Sequence, residues 1–359
     1  MSAIVDLAAR RHARPRGTVN VPMITLAHGG GGRAMKDLID DVFLRAQDGD
    51  SGVPSDDAVE FSLADLAAHG DRLAFTTDSF VVTPLEFPGG DIGKLAVCGT
   101  VNDLATSGAT PLYLTCSVII EEGMLIDDLR RIARSMAAMA REAGVRIVTG
   151  DTKVVARGAC DRLFINTAGI GVIKPGINLS VVNCRPGDAI LVNGLLGDHG
   201  AAILSARGDM ALDAPIESDC APLHHLVGRL LAAAPHTRFV RDATRGGLAS
   251  VLNEVAEASQ VGIEIEEART PIREVVKGFC EILGLDPLYL ANEGKLVAIV
   301  PAEEAEAALA AMRADPLGRD AAIIGHCTGG RPGRVVMDTI FGGRRIVDML
   351  VGEQLPRIC

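Results

Sequence analysis

The chain has 359 residues, 48% hydrophobic and 23% charged, an ordinary globular composition too long for one typical core, so two domains are expected. A formal net charge of −11 excludes sequence-independent binding to nucleic acid or an anionic membrane surface, so a polyanionic substrate would need a local remedy such as a bound cation. No apolar run approaches the roughly 18 residues of a membrane helix, and a chain with no Trp and two Tyr offers little for bases to stack on.

Residues 1–24 read as a loose N-terminal extension: Asp6 breaks the apolar part of Met1–Gly17 and Arg10-Arg11 follow it, unlike a secretory signal. Next comes Ala27-His28-Gly29-Gly30-Gly31-Gly32-Arg33. Four consecutive glycines cannot hold a regular element. They either form a flexible linker or offer several N–H groups to a phosphate, with Arg33 and Lys36 as charges. No Gly-Lys-Ser/Thr follows, so this is not a Walker loop. Residues 47–57 are a turn-rich connection.

Leu73–Thr77 reads as a strand ending in Asp78-Ser79, where Asp78 either caps a turn or holds a metal. In Gly93–Ala109 the positions Leu95, Cys98, Val101, Asn102 and Ala105 recur at helical spacing, which predicts a largely buried helix. Asp103 lies inside it, and a carboxylate buried there requires a cation or several donors. A strand over Leu112–Glu121 and an amphipathic helix over Ile126–Ala143, closed by Gly144, follow. Strand Arg146–Val148 runs into Thr149-Gly150-Asp151-Thr152-Lys153, and Arg162–Ile173 is another strand. Helices alternating with strands indicate α/β or α+β.

Two Pro-Gly turns, at 175–176 and 186–187, mark the boundary between halves and frame a predicted strand over Ile177–Val182. The second half opens with strand Ala189–Val192 and a loop entering a helix near Gly200; another helix is predicted over 222–234. His199, His224, His225 and His236 lack ligand spacing and read as core or surface residues. In Phe239–Leu252 a strand ends at Asp242, and Thr244-Arg245-Gly246-Gly247 lead into a helix from Leu248. That turn is either a tight connection capped by Asp242 or an anion site at a helix N-terminus. Beyond strand Ile263–Ile265 and a helix over 271–283, Glu293 lies between an apolar run and strand Leu296–Val300, and is expected to be partly buried. Helix Ala302–Ala314 and strand Ala321–Cys327 complete the domain.

The cysteines at 98, 116, 160, 184, 220, 280, 327 and 359 form no Cys-x-x-Cys, and a reducing cytoplasm is expected. The sequence ends Pro356-Arg357-Ile358-Cys359. A thiol beside a carboxylate has a raised pKa, reacts only with help, and at a chain end is expected to be mobile and little packed.

Thr77-Asp78, Asn102-Asp103-Leu104-Ala105 with Gly108-Ala109 and Pro111, Gly150-Asp151-Thr152, and Asp242-Ala243-Thr244-Arg245-Gly246-Gly247 resemble the PurM-like, AIR synthase-related ATP-binding superfamily, over about residues 25–340. The His28–Gly32 run and the Pro356–Cys359 tail narrow the resemblance to the HypE family of hydrogenase expression/formation proteins. The resemblance implies two α/β domains, 25–175 and 176–341, a barrel-like homodimer interface built by the first, and a mobile tail over 342–359. It implies ATP and Mg²⁺ as cofactors, with Mg²⁺ on Asp78, Asp103 and Asp151. Nucleotide contacts would come from His28, Gly29, Gly30, Gly31, Gly32, Asn102, Asp242, Arg245, Gly246 and Gly247. It also implies that the carbamoyltransferase HypF loads a carbamoyl group onto Cys359, and that ATP-dependent dehydration turns this into a thiocyanate. The cyano group would then pass to iron on a HypC–HypD complex for NiFe-hydrogenase. Lys153 and Glu293 are the candidates for orienting the modified cysteine and taking its proton. Two rival readings stand beside this one: a small-molecule synthetase or kinase of the same fold with an incidental Cys359, and a carrier whose nucleotide site is a switch.

Overall fold

The computed structural model describes residues 17–47, 58–208, 215–352 and 357–359. The start of the expected extension, most of the 47–57 connection and Pro356 lie outside the described residues. Among the described residues no helix is long and apolar enough to cross a membrane.

Alternation of apolar residues builds a four-stranded sheet in the first half, ordered Arg72–Phe80, Leu163–Ile173, Ala109–Glu121, Arg146–Val155. The last pair is parallel because helix Ile126–Glu142 carries the chain back across the sheet. That helix buries Leu129, Ile132, Ala133, Met136 and Ala140 on one side, as its periodicity predicts. Helix Ile92–Thr106, capped by Asp91 through Gly93 N and Lys94 N, is buried nearly all round. Gly99 permits its depth, since a Cβ there would stand 2.8 Å from the Phe80 ring. Both helices cover the same face of the sheet. On the opposite face Leu73 is 59% and Phe75 72% exposed, and Ile119 is also exposed.

The second half forms a seven-stranded sheet ordered Arg344–Val347, Arg334–Asp338, Gly262–Glu266, Ala322–Thr328, Ala189–Val192, Leu296–Val300, Phe239–Asp242. Ala189–Val192 and Leu296–Val300 are apolar throughout and buried at every residue, as strands covered on both faces require. Helix Gly247–Ser259 packs with one core, and helices His224–Ala233 and Ala305–Arg313 with the other.

Helix Ile92–Thr106 joins the halves. It packs on its own sheet and against helix His224–Ala233 and strand Phe239–Asp242. Its Asn102 is buried and fully bonded: Nδ2 donates to Ala221 O (3.1 Å) and Glu293 O (3.3 Å), and Oδ1 accepts from Leu223 N (2.7 Å).

Four expectations are corrected. Val19 and Ile24 belong to the first core, so the domain begins before residue 25. Ile177–Val182 is not a strand: Ser180 N bonds Arg238 O, the Asn183 side chain bonds Asn178 O, and only a short 3₁₀ turn, Val181–Asn183, forms. The second domain runs past 341, because Arg344–Val347 pairs with Arg334–Asp338 in its sheet. The end of the chain is docked rather than little packed. Cys359 O accepts from Val81 N (3.1 Å), Arg357 O accepts from Thr83 N (3.2 Å), and Ile358 enters the first core.

Candidate active site

The seam between the domains collects acidic groups from separate elements. Asp78 comes from strand Arg72–Phe80, Asp103 from helix Ile92–Thr106, Asp242 from the end of strand Phe239–Asp242, and Glu293 from the loop before Leu296. Each reaches the site for a local reason. Thr76 Oγ1 donates to Asp103 at 2.9 Å, and Ser79 N to Asp78 at 2.7 Å. The Glu293 loop is pinned from two sides. Asn292 accepts from Gly197 N (2.7 Å) and donates to Ala243 O (2.8 Å), while Asp219 accepts from Glu293 N (3.0 Å) and Gly294 N (3.2 Å). Lys295 pairs with the buried Asp219 at 3.1 Å.

The electrostatics of the cluster are one-sided. Burial raises the carboxyl of Asp78, with Ser79 N and Arg245 opposing. Burial raises Asp103 too, against its Thr76 bond and with the Asp78 charge adding. Asp242 is pushed up to about 7, first by burial and then by Asp103. Glu293, 3% exposed, is raised furthest, by burial and then by the charges of Cys220, Asp242, Asp219 and Asp78. Its Oε1 is buried without a partner. The Cys359 thiol is raised by burial and by Glu293, with Arg245 opposing. The last residue of the sequence therefore sits among the carboxyls, with Glu293 the group it feels most.

Arg245 precedes the turn into helix Gly247–Ser259, with Gly246 at φ 75° and Gly247 at φ 57°. A Cβ on Gly247 would stand 2.5 Å from Leu288 O and Leu290 O, so only glycine brings the helix N-terminus this close. Beside the carboxyls lies an open cleft of about 570 Å³, lined by the apolar Phe75, Leu179 and Phe239 and by the polar Thr76, Arg241, Asp103 and Asp242. A cleft of mixed polarity with carboxylates in its lining suits a nucleoside whose phosphates meet a metal ion.

A hard divalent cation fits these donors. All are oxygens on carboxyls whose charge burial disfavours and a cation would compensate, and Mg²⁺ takes one or two carboxylates and completes its shell with phosphates and water. Among the described residues no three carboxylates form a complete metal site by themselves. Within one chain the three expected aspartates do not come together. Asp78 and Asp103 meet, but Asp151 lies on the sheet's opposite edge strand, about 14 Å away at roughly 4.8 Å per strand. There it pairs with Lys153 at 2.9 Å, and this bond holds its carboxyl below the usual range. Lys153 is thus not beside Cys359 within one chain; the cation there is Arg245.

The glycine run also lies at that far edge. Gly29 packs against Val154, and at Gly31 and Gly32 nothing stands within 4 Å of a Cβ position, which leaves an open turn. His28 is buried and folds back on Thr25, whose N–H donates to Nδ1 at 3.0 Å. Asn102, expected on the nucleotide, has its amide committed to backbone and acts as a clamp between domains. The sequence reading missed Asp219, Lys295 and His199. His199, read as a core or surface residue, is wholly buried, and its Nε2 lies 2.7 Å from Ile358 O. Nothing local marks these three, since their partners are distant in sequence; Asn-Glu-Gly-Lys, with alternating charge before a strand, was the only hint.

Residues 55–173 match the AIR synthase related protein, N-terminal domain, and residues 185–338 match the C-terminal domain. The chain is 61% identical over 336 residues to carbamoyl dehydratase HypE of Rhodobacter capsulatus, covering 94% of this chain and 98% of that one. A crystal structure of hydrogenase maturation protein HypE in complex with ATP superposes with a TM-score of 0.87 at 50% identity, covering 93% of this chain and 99% of that chain. A structure of a HypE–HypF complex gives 0.75 at 52% identity, covering 77% and 90%.

Proposed function

Because the chain belongs to the HypE carbamoyl dehydratase family and has its two-domain AIR synthase related fold, we propose that it dehydrates a carbamoyl group carried on its own Cys359, at the expense of ATP, in hydrogenase maturation. The observation that carries this reading is the docked C-terminus, whose thiol feels the charge of Glu293, a buried carboxyl with an unpartnered oxygen. An incidental cysteine, as in a small-molecule synthetase, would have no such seat.

The chemistry follows from what the residues offer. The free thiol stays protonated in this acidic pocket, so loading belongs to a separate partner when the tail is out, and HypF is that partner by likeness to the HypE–HypF complex. With the carbamoyl group in place, its oxygen is phosphorylated by ATP. The nitrogen then gives up two protons as the C–O bond to phosphate breaks, leaving S–C≡N on Cys359 with ADP and phosphate. Glu293 takes a nitrogen proton; a carboxyl raised by burial is a stronger base, once ionised, than an exposed one. Arg245 and the N-terminus of helix Gly247–Ser259 stabilise charge on the transferred phosphoryl group. Asp78 and Asp103, with Asp242 beside them, would hold Mg²⁺, which neutralises charge during phosphoryl transfer. The cyano group then leaves for iron on the HypC–HypD complex.

The bare sheet face supports a homodimer of barrel-like form. Leu73, Phe75 and Ile119 would be covered, and the edge carrying Asp151, Lys153 and the Gly30–Gly32 turn would face the second copy. Asp151 and Lys153 would then serve the partner's centre. Eight unbridged cysteines suit a reducing cytoplasm.

Intact-protein mass spectrometry tests the reading. After incubation with the carbamoyltransferase and carbamoyl phosphate, Cys359 should carry a carbamoyl adduct that loses one water only when Mg-ATP is hydrolysed. An adduct that never forms, or one unchanged while ATP is hydrolysed, overturns it.

A further inference from the structure

The carbonyl that immediately precedes the thiol is held by a residue to which the proposed chemistry gives no part. Of the last three carbonyls, those of Arg357 and Cys359 accept from Thr83 N (3.2 Å) and Val81 N (3.1 Å). The Ile358 carbonyl points the other way and meets His199 Nε2 at 2.7 Å, inside the core. A carbonyl only accepts, so Nε2 carries the proton. Nδ1, 2.8 Å from Ser218 Oγ, is then an acceptor, and that hydroxyl in turn accepts from Cys220 N at 3.1 Å. Burial lowers the pKa of His199, which keeps the imidazole neutral and in that tautomer. Its ring stands edge-on to Phe87, with centroids 5.6 Å apart.

The residue between Ser218 and Cys220 is Asp219, which holds the backbone of Glu293 and Gly294. Ser218 N is itself tied to Pro88 O at 2.8 Å in the first domain. One tripeptide thus carries both the imidazole that grips the tail and the loop that presents the carboxyl.

We propose that His199 is a positioning residue for the dehydration: its Nε2–H holds the Ile358 carbonyl and so seats the Cys359 sulfur against Glu293, with Ser218–Cys220 carrying both halves of that contact. The proposal rests on the dehydratase reading above. His199 touches neither the thiol nor the carboxyl, so its effect is on where the tail rests.

The test uses full-length His199→Phe, which keeps ring volume and the Phe87 contact, and His199→Gln, whose amide restores a donor near the Nε2 position. The first readout is the alkylation rate of Cys359 by iodoacetamide in the unloaded protein, resolved by peptide mass. Alkylation proceeds from the undocked tail, so the rate reports the docking equilibrium. Orphaning a buried carbonyl should raise it about tenfold in His199→Phe and at most about twofold in His199→Gln. The buried Cys98, Cys220 and Cys280 should stay unreactive, which controls for unfolding. Should His199→Phe fold poorly, Ser218→Ala, which removes the Nδ1 partner together with the acceptor of Cys220 N, should shift the rate in the same direction by about threefold. The second readout is single-turnover dehydration of the loaded protein, expected to slow in His199→Phe with the KM for ATP unchanged and to recover in His199→Gln. Native-like protection in His199→Phe, or a Gln variant no better than Phe, overturns the role of His199. A native protein that never dehydrates its adduct overturns the reading beneath it, and the alkylation result then still decides whether His199 holds the tail.

Discussion

Glu293→Gln should separate activity from stability, moving them in opposite directions. The amide keeps the shape of the side chain but cannot accept a proton, so single-turnover dehydration should fall by about 10²–10⁴-fold, the range for a removed general base. Stability follows from the raised carboxyl. Its folded pKa lies well above the unfolded value of about 4.3. Below the unfolded value both states are protonated and the native protein carries no penalty. As pH rises from there toward the folded pKa, the unfolded chain ionises first, and the native state loses up to about 1.4 kcal/mol per pH unit. Gln cannot ionise and escapes that loss. The variant should therefore melt with the native protein near pH 4 and above it at pH 8, by about 1.3 °C for each kcal/mol in a chain of this length. Intact mass after rapid mixing with Mg-ATP gives the rate, and calorimetry across pH gives the melting curves. A variant that dehydrates within tenfold of native removes Glu293 as the base. Melting curves that stay parallel across pH refute the burial argument.

Asp242→Asn should behave alike over a window its own pKa sets: equal stability below about pH 4, and a gain growing to a few kcal/mol by pH 8, because the native carboxyl titrates at about 7. Thermal melts at the two pH values check it, and added Mg²⁺ should narrow the difference by supplying the missing positive charge. Lys295→Met leaves Asp219 charged and buried, so chemical denaturation should show a loss of about 3–5 kcal/mol. Phe75→Arg puts a charge on the bare sheet face and should convert the proposed dimer to monomer in light scattering while leaving the circular dichroism of the fold native, since Phe75 adds little to its own core.

What the sequence showed of this site depended on how local each cause was. The buried helix and its Asp103 followed from apolar spacing, and partial burial of Glu293 from its place between an apolar run and a strand; the helix is buried as expected, and Glu293 more completely than expected. The turn at Gly246-Gly247 was visible because glycine alone suits its backbone and its close approach to Leu288 and Leu290. Asp151 and Lys153 could have been separated from the other aspartates by strand period alone. Residues two apart share a face, so these charges meet each other first. Strand order was not legible, and it puts them on the edge opposite Asp78. The grip of His199 on Ile358 spans 159 positions and leaves no local trace. The docked tail was misjudged for a related reason: chain ends are loose by default, and its anchors, Val81 and Thr83, are backbone groups whose sequence says nothing of what they bind.

The separation of the two edges of the first sheet has a consequence for how defects combine. Cys359 and Glu293 stand at the seam of one chain, while Asp151, Lys153 and the open glycine turn stand at the far edge, toward the proposed second copy. A twofold pair then divides each reaction centre between two polypeptides. Mixing a Cys359→Ala protein with a Lys153→Ala protein, each inert alone, would put both lesions in one centre of every mixed pair and neither in the other. With random exchange about a quarter of all centres would be whole. Two loss-of-function alleles of this one gene would complement each other, and activity would be inherited by the pair rather than by the chain.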